Sequence, residues 1–226
     1  VEDIDAIAVL QDPVRRRLYE YVAAQGREVG RNEAAEAAGV TRTLAAHHLD
    51  KLAEAGLLES GSRRLTGRSG PGAGRPAKVY TRARAERAVS LPARDYRTAA
   101  ELLAEAAEQA GLDAGLCAAA RRRGEALRGA AAPCGNLEEA MEVLASRGYE
   151  PHLEGAEEVT GADARVVRMR NCPFHAVAER FPPLVCGMNL ALLEGLFGTD
   201  GPVRARMDAR PGECCVVVEA SKNNED

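Results

Sequence analysis

The chain has 226 residues, too many for one small module and suited to two small domains joined by a connector. Apolar residues make up 46% of it but aromatic ones only 4%, with no Trp, so any core is built mainly from Ala, Leu and Val. The net charge of −4 excludes a uniformly basic nucleic-acid binder, and no apolar run reaches the roughly 18 residues of a membrane span.

The first five residues are acidic and lack the basic and apolar regions of a signal peptide, so the expected compartment is the cytoplasm. Asp12 before Pro13 is an N-cap followed by proline at the first helical position. Val14, Leu18, Tyr21 and Val22 then recur at helical spacing, and Gly26 ends the helix. A second helix is expected from Asn32, as N-cap, to Ala38, with Gly39 supplying a tight turn. Thr41 caps a third helix to about Ala55. Its buried stripe is Ala45, His48, Leu49 and Leu52. The opposite face carries Thr43, Ala46, His47 and Asp50, with Arg42 near the start. Small and polar groups there suit entry into a DNA major groove.

A strand after Leu57-Leu58-Glu59, a Gly-rich loop and the segment from Arg75 to Thr81 read as a β-hairpin wing. Arg63, Arg64, Arg68 and Arg75 are placed to meet phosphates or the minor groove. Charge supports this reading. Residues 1–90 hold 15 Lys/Arg against 12 Asp/Glu, residues 91–226 hold 15 against 22, and between 60 and 90 eight basic residues stand with one acid, Glu86. The plainer alternatives are a solvated basic loop or a winged helix used for protein contacts. The glycines do not fit G-x-x-x-x-G-K-[ST], so a nucleotide site is rejected. The string GVTRTLAAHHLDKLAEAGLLE followed by GRPAKVY resembles the ArsR-like branch of winged-helix regulators, which implies that residues 1–90 bind a double-stranded DNA operator.

Pro92 breaks the chain. Residues 94–111 and 112–127 are Ala-rich and helical, with Ala99, Leu102, Leu103 and Ala106 on one face. Residues 91–132 are therefore expected to form a helical connector. It either dimerises the chain, as a two-fold operator requires, or folds back as an intrachain pair. Cys117, among alanines, reads as a small buried residue.

Residues 133–226 read as a sensor domain. Its expected elements are a helix at 137–147 capped by Asn136, strands at 149–153 and 165–169, helices at 173–179 and 183–197, and a closing hairpin of 203–207 and 214–219. The whole chain is thus α+β: a winged helix-turn-helix, a helical connector and a C-terminal α+β sandwich. Six Cys in a reducing compartment point to metal ligands, redox groups or small buried residues. Cys172, Cys186 and Cys214 each lie beside Pro or Gly and can converge at one end of the sheet. The spacing C-x13-C-x27-C-C is not that of a zinc ribbon and suits ligands gathered from separate elements.

The strings NCPFHAVAERFPPLVCGMNLALLEGLFG and PGECCVVVE resemble the C-terminal domain of SufR-type regulators, iron–sulfur-sensing repressors with an ArsR-like head. The resemblance implies a cluster of [4Fe–4S] type on Cys172, Cys186 and Cys214. The first interval is one residue longer than that family's, and Pro182-Pro183 places the extra residue in a loop. Candidates for a fourth ligand are Cys215, His175 or a small exogenous molecule. On a regular strand Cys214 and Cys215 would point to opposite faces, so Cys215 could join only at a bulge. Cys134 lies in a loop and is not expected to be a ligand. Two other readings remain: the same fold sensing zinc or another metal, or an oxidant through a thiol/disulfide switch. An enzyme is not expected, since Cys172 with His175 is the only nucleophile–base pair close in sequence.

Overall fold

The computed structural model describes residues 2–63, 76–154 and 165–221. The chain is α+β, as its patterning predicts, and divides into two compact units, residues 1–94 and 95–226.

The first unit contains α1 (Glu2–Ala8), a 3-10 turn, α2 (Pro13–Gln25), β1 (Val29–Gly30), α3 (Arg31–Ala38), α4 (Arg42–Glu54), β2 (Leu58–Arg63) and β3 (Ala77–Arg82). Local chemistry fixes most helix ends. The Asp12 carboxylate accepts from the N–H groups of Val14 and Arg15 at 2.9 Å, and Thr41 Oγ1 accepts from Leu44 N–H at 3.3 Å. Gly39, at φ 66°, takes the left-handed turn between α3 and α4 that a residue with a Cβ rarely adopts. One capping expectation is corrected: Gly30, not Asn32, is the N-cap of α3, and no side chain caps it. Leu18, Leu49 and Leu52 are fully buried with Val29, Ala34, Ala45 and Tyr80. Each such leucine contributes about 1.5–3 kcal/mol of burial. The three strands pair antiparallel in the order β1-β3-β2, with Val29 opposite Tyr80 and Arg63 opposite Ala77.

The second unit begins with α5 (Tyr96–Gln109) and α6 (Asp113–Arg128), the segment read from sequence as a separate connector. It continues through α7 (Leu137–Ala145), β4 (Pro151–Glu154), β5 (Val166–Met169), α8 (His175–Ala178), α9 (Pro182–Phe197), β6 (Val203–Met207) and β7 (Val216–Ala220). The sheet is antiparallel in the order β4-β5-β7-β6. Helices α7 and α9 cover it through Leu137, Ala140, Leu144, Leu193, Leu196 and Phe197, packed on Val167, Met169, Val216 and Val218. Helix α9 also lies directly on α6. A Cβ added to Gly124 would stand 2.1 Å from the Leu192 carbonyl oxygen, and one added to Gly195 2.2 Å from that of Arg121. The two backbones meet where each helix has a glycine.

Candidate DNA interface and cysteine centre

Helix α4 is sorted by burial as its pattern predicts. Ala45, His48, Leu49 and Leu52 face the core, Arg42, Thr43 and His47 are exposed, and Ala46 is half-buried. Burial lowers the pKa of His48, and His47 is the exposed imidazole on the outer face. The expectation of a small, polar face needs one correction: Leu44 also points outward, 40% exposed. An apolar side chain of that kind can meet a thymine methyl.

Asp50 faces a polar cluster that sequence reading missed. Its carboxylate accepts from Lys78 Nζ at 2.7 Å, from Tyr80 Oη at 2.6 Å and from Arg31 Nη2 at 2.9 Å. Burial pushes the Asp50 carboxyl up, but Lys78, Tyr80 and Arg31 together hold it below the usual carboxylate range. Burial and the bond to Asp50 push Tyr80 up to about 12. Arg63 closes β2 and pairs with Glu28 at 3.0 Å. A groove of about 1160 Å³ lies beside these groups, lined by Arg31, Arg42, Arg63 and Lys78 together with Glu28 and Glu33. The other wing arginines, Arg64, Arg68 and Arg75, lie outside the described residues.

In the second unit four cysteines gather from three places. Cys172 sits in the turn between β5 and α8, Cys186 in the first turns of α9, and Cys214 and Cys215 just before β7. The expectation that Cys214 and Cys215 begin a regular strand is corrected. The strand starts at Val216, and a bend tied at both sides holds the pair: Cys214 N–H donates to Met169 O at 2.9 Å, and Cys215 O accepts from Asp208 N–H at 2.8 Å. The bend lets neighbouring side chains find different partners. Cys215 is disulfide-bonded to Cys186, with Cα atoms 6.4 Å apart. Cys214, 3% exposed, shares a hydrogen bond with Cys172.

That hydrogen bond pulls the Cys214 thiol down to about 7, despite burial, with further help from the Val216 N–H, the Asn189 amide and the Cys215 N–H. The same bond, with burial, pushes the Cys172 thiol up. His175 is exposed, with its Nε2 3.2 Å from a Glu179 carboxylate oxygen. Cys134 is a free thiol in a loop, as expected, and its burial raises its pKa. Cys117, also free, comes closer than expected: its Sγ lies 3.7 Å from where a Cβ of Gly187, the residue after Cys186, would stand.

The segment leading into Cys214 is pinned by a buried cation. Arg168, on β5 and 1% exposed, donates to Glu154 at 2.6 Å, to the Asp208 carboxylate at 2.7 Å and to the Asp208 carbonyl at 3.2 Å. Its guanidinium also stands 3.7 Å from Glu213, the residue before Cys214. An arginine inside the apolar run Val166-Val167-Arg168-Met169 was the available signal, but its partners are distant in sequence.

Residues 10–61 match the helix-turn-helix domain family. The match spans α2, α3, α4 and most of β2 and supports a DNA-binding transcriptional regulator. No curated protein and no solved structure matches the chain. The helix-turn-helix domain thus places Arg42, Thr43, Ala46 and His47 on one helix and Arg63 on the adjoining hairpin. With Cys186 and Cys215 bonded, the four-cysteine centre offers two thiols, Cys172 and Cys214, and a disulfide, and among the described residues no group of three or more His, Cys, Asp or Glu is arranged to hold a metal ion. A cluster does not fit the cysteines in that bonded state. Among the described residues no helix is long and apolar enough to cross a membrane.

Proposed function

We propose that the chain is a transcriptional repressor whose operator affinity is set by the four-cysteine centre, and that the reduced centre holds an iron–sulfur cluster of [4Fe–4S] type. The convergence of Cys172, Cys186, Cys214 and Cys215 carries the reading. A dithiol reductant that exchanges with the Cys186–Cys215 bond gives up two electrons and two protons, leaves as its own disulfide and yields two thiols, bringing four soft sulfur donors to one end of the sheet. The N–H groups of Phe174 and Val216 already point at Cys172 and Cys214, the environment that anionic sulfur requires. The group would supply a charge and redox state that change together. The chain's own residues supply the ligands, the donors to sulfur and the Arg168 anchor.

A homodimer belongs to the same proposal. Tyr96, Ala99, Leu102, Leu103 and Ala106 recur at helical spacing on α5 and are all exposed, Leu103 by 72%. Such an apolar stripe suits self-association about a two-fold axis, and a palindromic operator has the same symmetry.

The deciding experiment is anaerobic purification of the full chain, with iron and sulfide analysis and a visible spectrum, before and after single Cys→Ser changes. Loss of the chromophore at 172, 186, 214 and 215, with retention at 117 and 134, is the expected result. A colourless wild-type protein that takes up no iron and sulfide refutes the cluster. The Cys186–Cys215 bond favours a second reading, a thiol/disulfide switch without metal. In that case metal-free protein changes operator affinity between reductant and oxidant, and Cys215→Ser abolishes the change.

A further inference from the structure

Helix α9 carries a buried amide that neither DNA binding nor sulfur ligation uses. Asn189 is 1% exposed and lies one turn beyond Cys186, in an otherwise apolar stretch from Met188 to Leu193. Its Nδ2 donates to Cys214 Sγ at 3.4 Å, and its Oδ1 accepts from Tyr149 Oη at 2.5 Å. Tyr149, 4% exposed, reaches it from the segment between α7 and β4.

A buried Asn is a poor helix former and costly to desolvate, so a Leu would pack here more cheaply. The amide is tolerated because both its ends are satisfied. Its orientation is also determined. The amide oxygen can only accept and the phenol supplies a proton to it, so the amide N–H group is left facing sulfur. A flipped amide would set an oxygen lone pair against the Cys214 sulfur and turn the phenol from donor to acceptor.

We infer that Asn189, clamped by Tyr149, is a positioning residue for the Cys214 sulfur. It holds Cys214 on the side of Cys172, leaving the neighbouring Cys215 to face Cys186, and it stabilises negative charge on Cys214. The inference rests on the cysteine centre proposed above. In an iron–sulfur protein, N–H donors to ligand sulfur stabilise the more negative, reduced state and raise the potential.

Two measurements on the full-length protein test it. In the reduced, metal-free protein with 15N-labelled asparagine, the Asn189 side-chain amide is followed by NMR. One of its protons should lie downfield of a free amide. Cys214→Ala and Tyr149→Phe should each move it toward the free position, while Cys134→Ala should leave it in place. In protein assembled with ferrous iron and sulfide, Tyr149→Phe and Asn189→Leu should lower the midpoint potential, changing the oxidised-to-reduced ratio about threefold to tenfold at fixed potential. Asn189→Leu keeps about the same volume and adds no charge but removes the donor. An Asn189 resonance that ignores Cys214→Ala overturns the inference, as do two folded variants with wild-type potentials. If the wild-type protein takes up no cluster, the cluster reading fails on its own and the NMR measurement still decides the role of Asn189.

Discussion

Gly124→Ala should destabilise the second unit although it improves an intrinsic helix propensity. In a helix interior Ala is favoured over Gly by about 0.8–1.0 kcal/mol. Against this, the new Cβ would stand 2.1 Å from Leu192 O and 2.7 Å from Leu196 N, both backbone atoms of α9. Ordinary C···O contact begins near 3.3 Å, so the helices must part by about 1 Å. Overpacking of this kind costs about 1–3 kcal/mol and more where neither side can yield, as with two helix backbones. The net expectation is a loss of about 2 kcal/mol, read as a lower urea midpoint at unchanged slope. Gly115, in the same helix, is the control: nothing lies within 4 Å of its added Cβ, so Gly115→Ala should leave stability unchanged or raise it. Equal stability of the Gly124 variant and wild type would refute the close crossing of α6 and α9.

Thr43→Ala and His47→Ala should each cost about 1–3 kcal/mol on the true operator and little on random DNA, and equal losses on both would remove these side chains from base readout. Asp50→Asn should release Arg31 and Lys78 toward phosphate and steepen the salt dependence of DNA binding by about one or two counterions, measured by titration at several salt concentrations. Arg168→Met should weaken the dependence of stability on acid pH. Hydrogen bonds from Arg168 and Arg210 hold Glu154 below the usual carboxylate range, and Arg206 and Arg168 do so for Asp208 despite its desolvation. A depressed folded-state pKa adds stability above the unfolded value, near pH 4, that is lost as pH falls through the folded one. Urea melts between about pH 5 and pH 3 should therefore slope less steeply in the variant.

Elements set by neighbouring residues were legible in the sequence. Asp12-Pro13, Gly39, Thr41 and Asn136 each act within four residues, and α2, α4 and α7 end or begin where those residues place them. Features set by distant partners were not. The two-residue β1 exists through its pairing with β3 some fifty residues away, and Gly30 takes the cap position because the chain leaves that strand there. Gly124 in α6 looks like a weak point of a connector until Gly195 is seen against it. The three proposed ligand cysteines could be named from sequence, but not how they pair. Cys215 was expected to be turned away on a strand, whereas hydrogen bonds to Met169 and Asp208 bend the chain at that point. Asn189 and Arg168 gave weaker signals, a polar residue in an apolar run, with no indication of what each would meet.

The bend at Cys214-Cys215 makes one peptide plane the prong of a fork. One tine reaches the turn after β5 through Cys172, and the other reaches α9 through Cys186. A change in the length of either link must tilt that plane and load the other, so the sheet layer and the helix layer cannot relax independently while both hold. Since α9 is seated backbone-to-backbone on α6, the Cys186 tine ties the sheet layer to a pair of helices rather than to one.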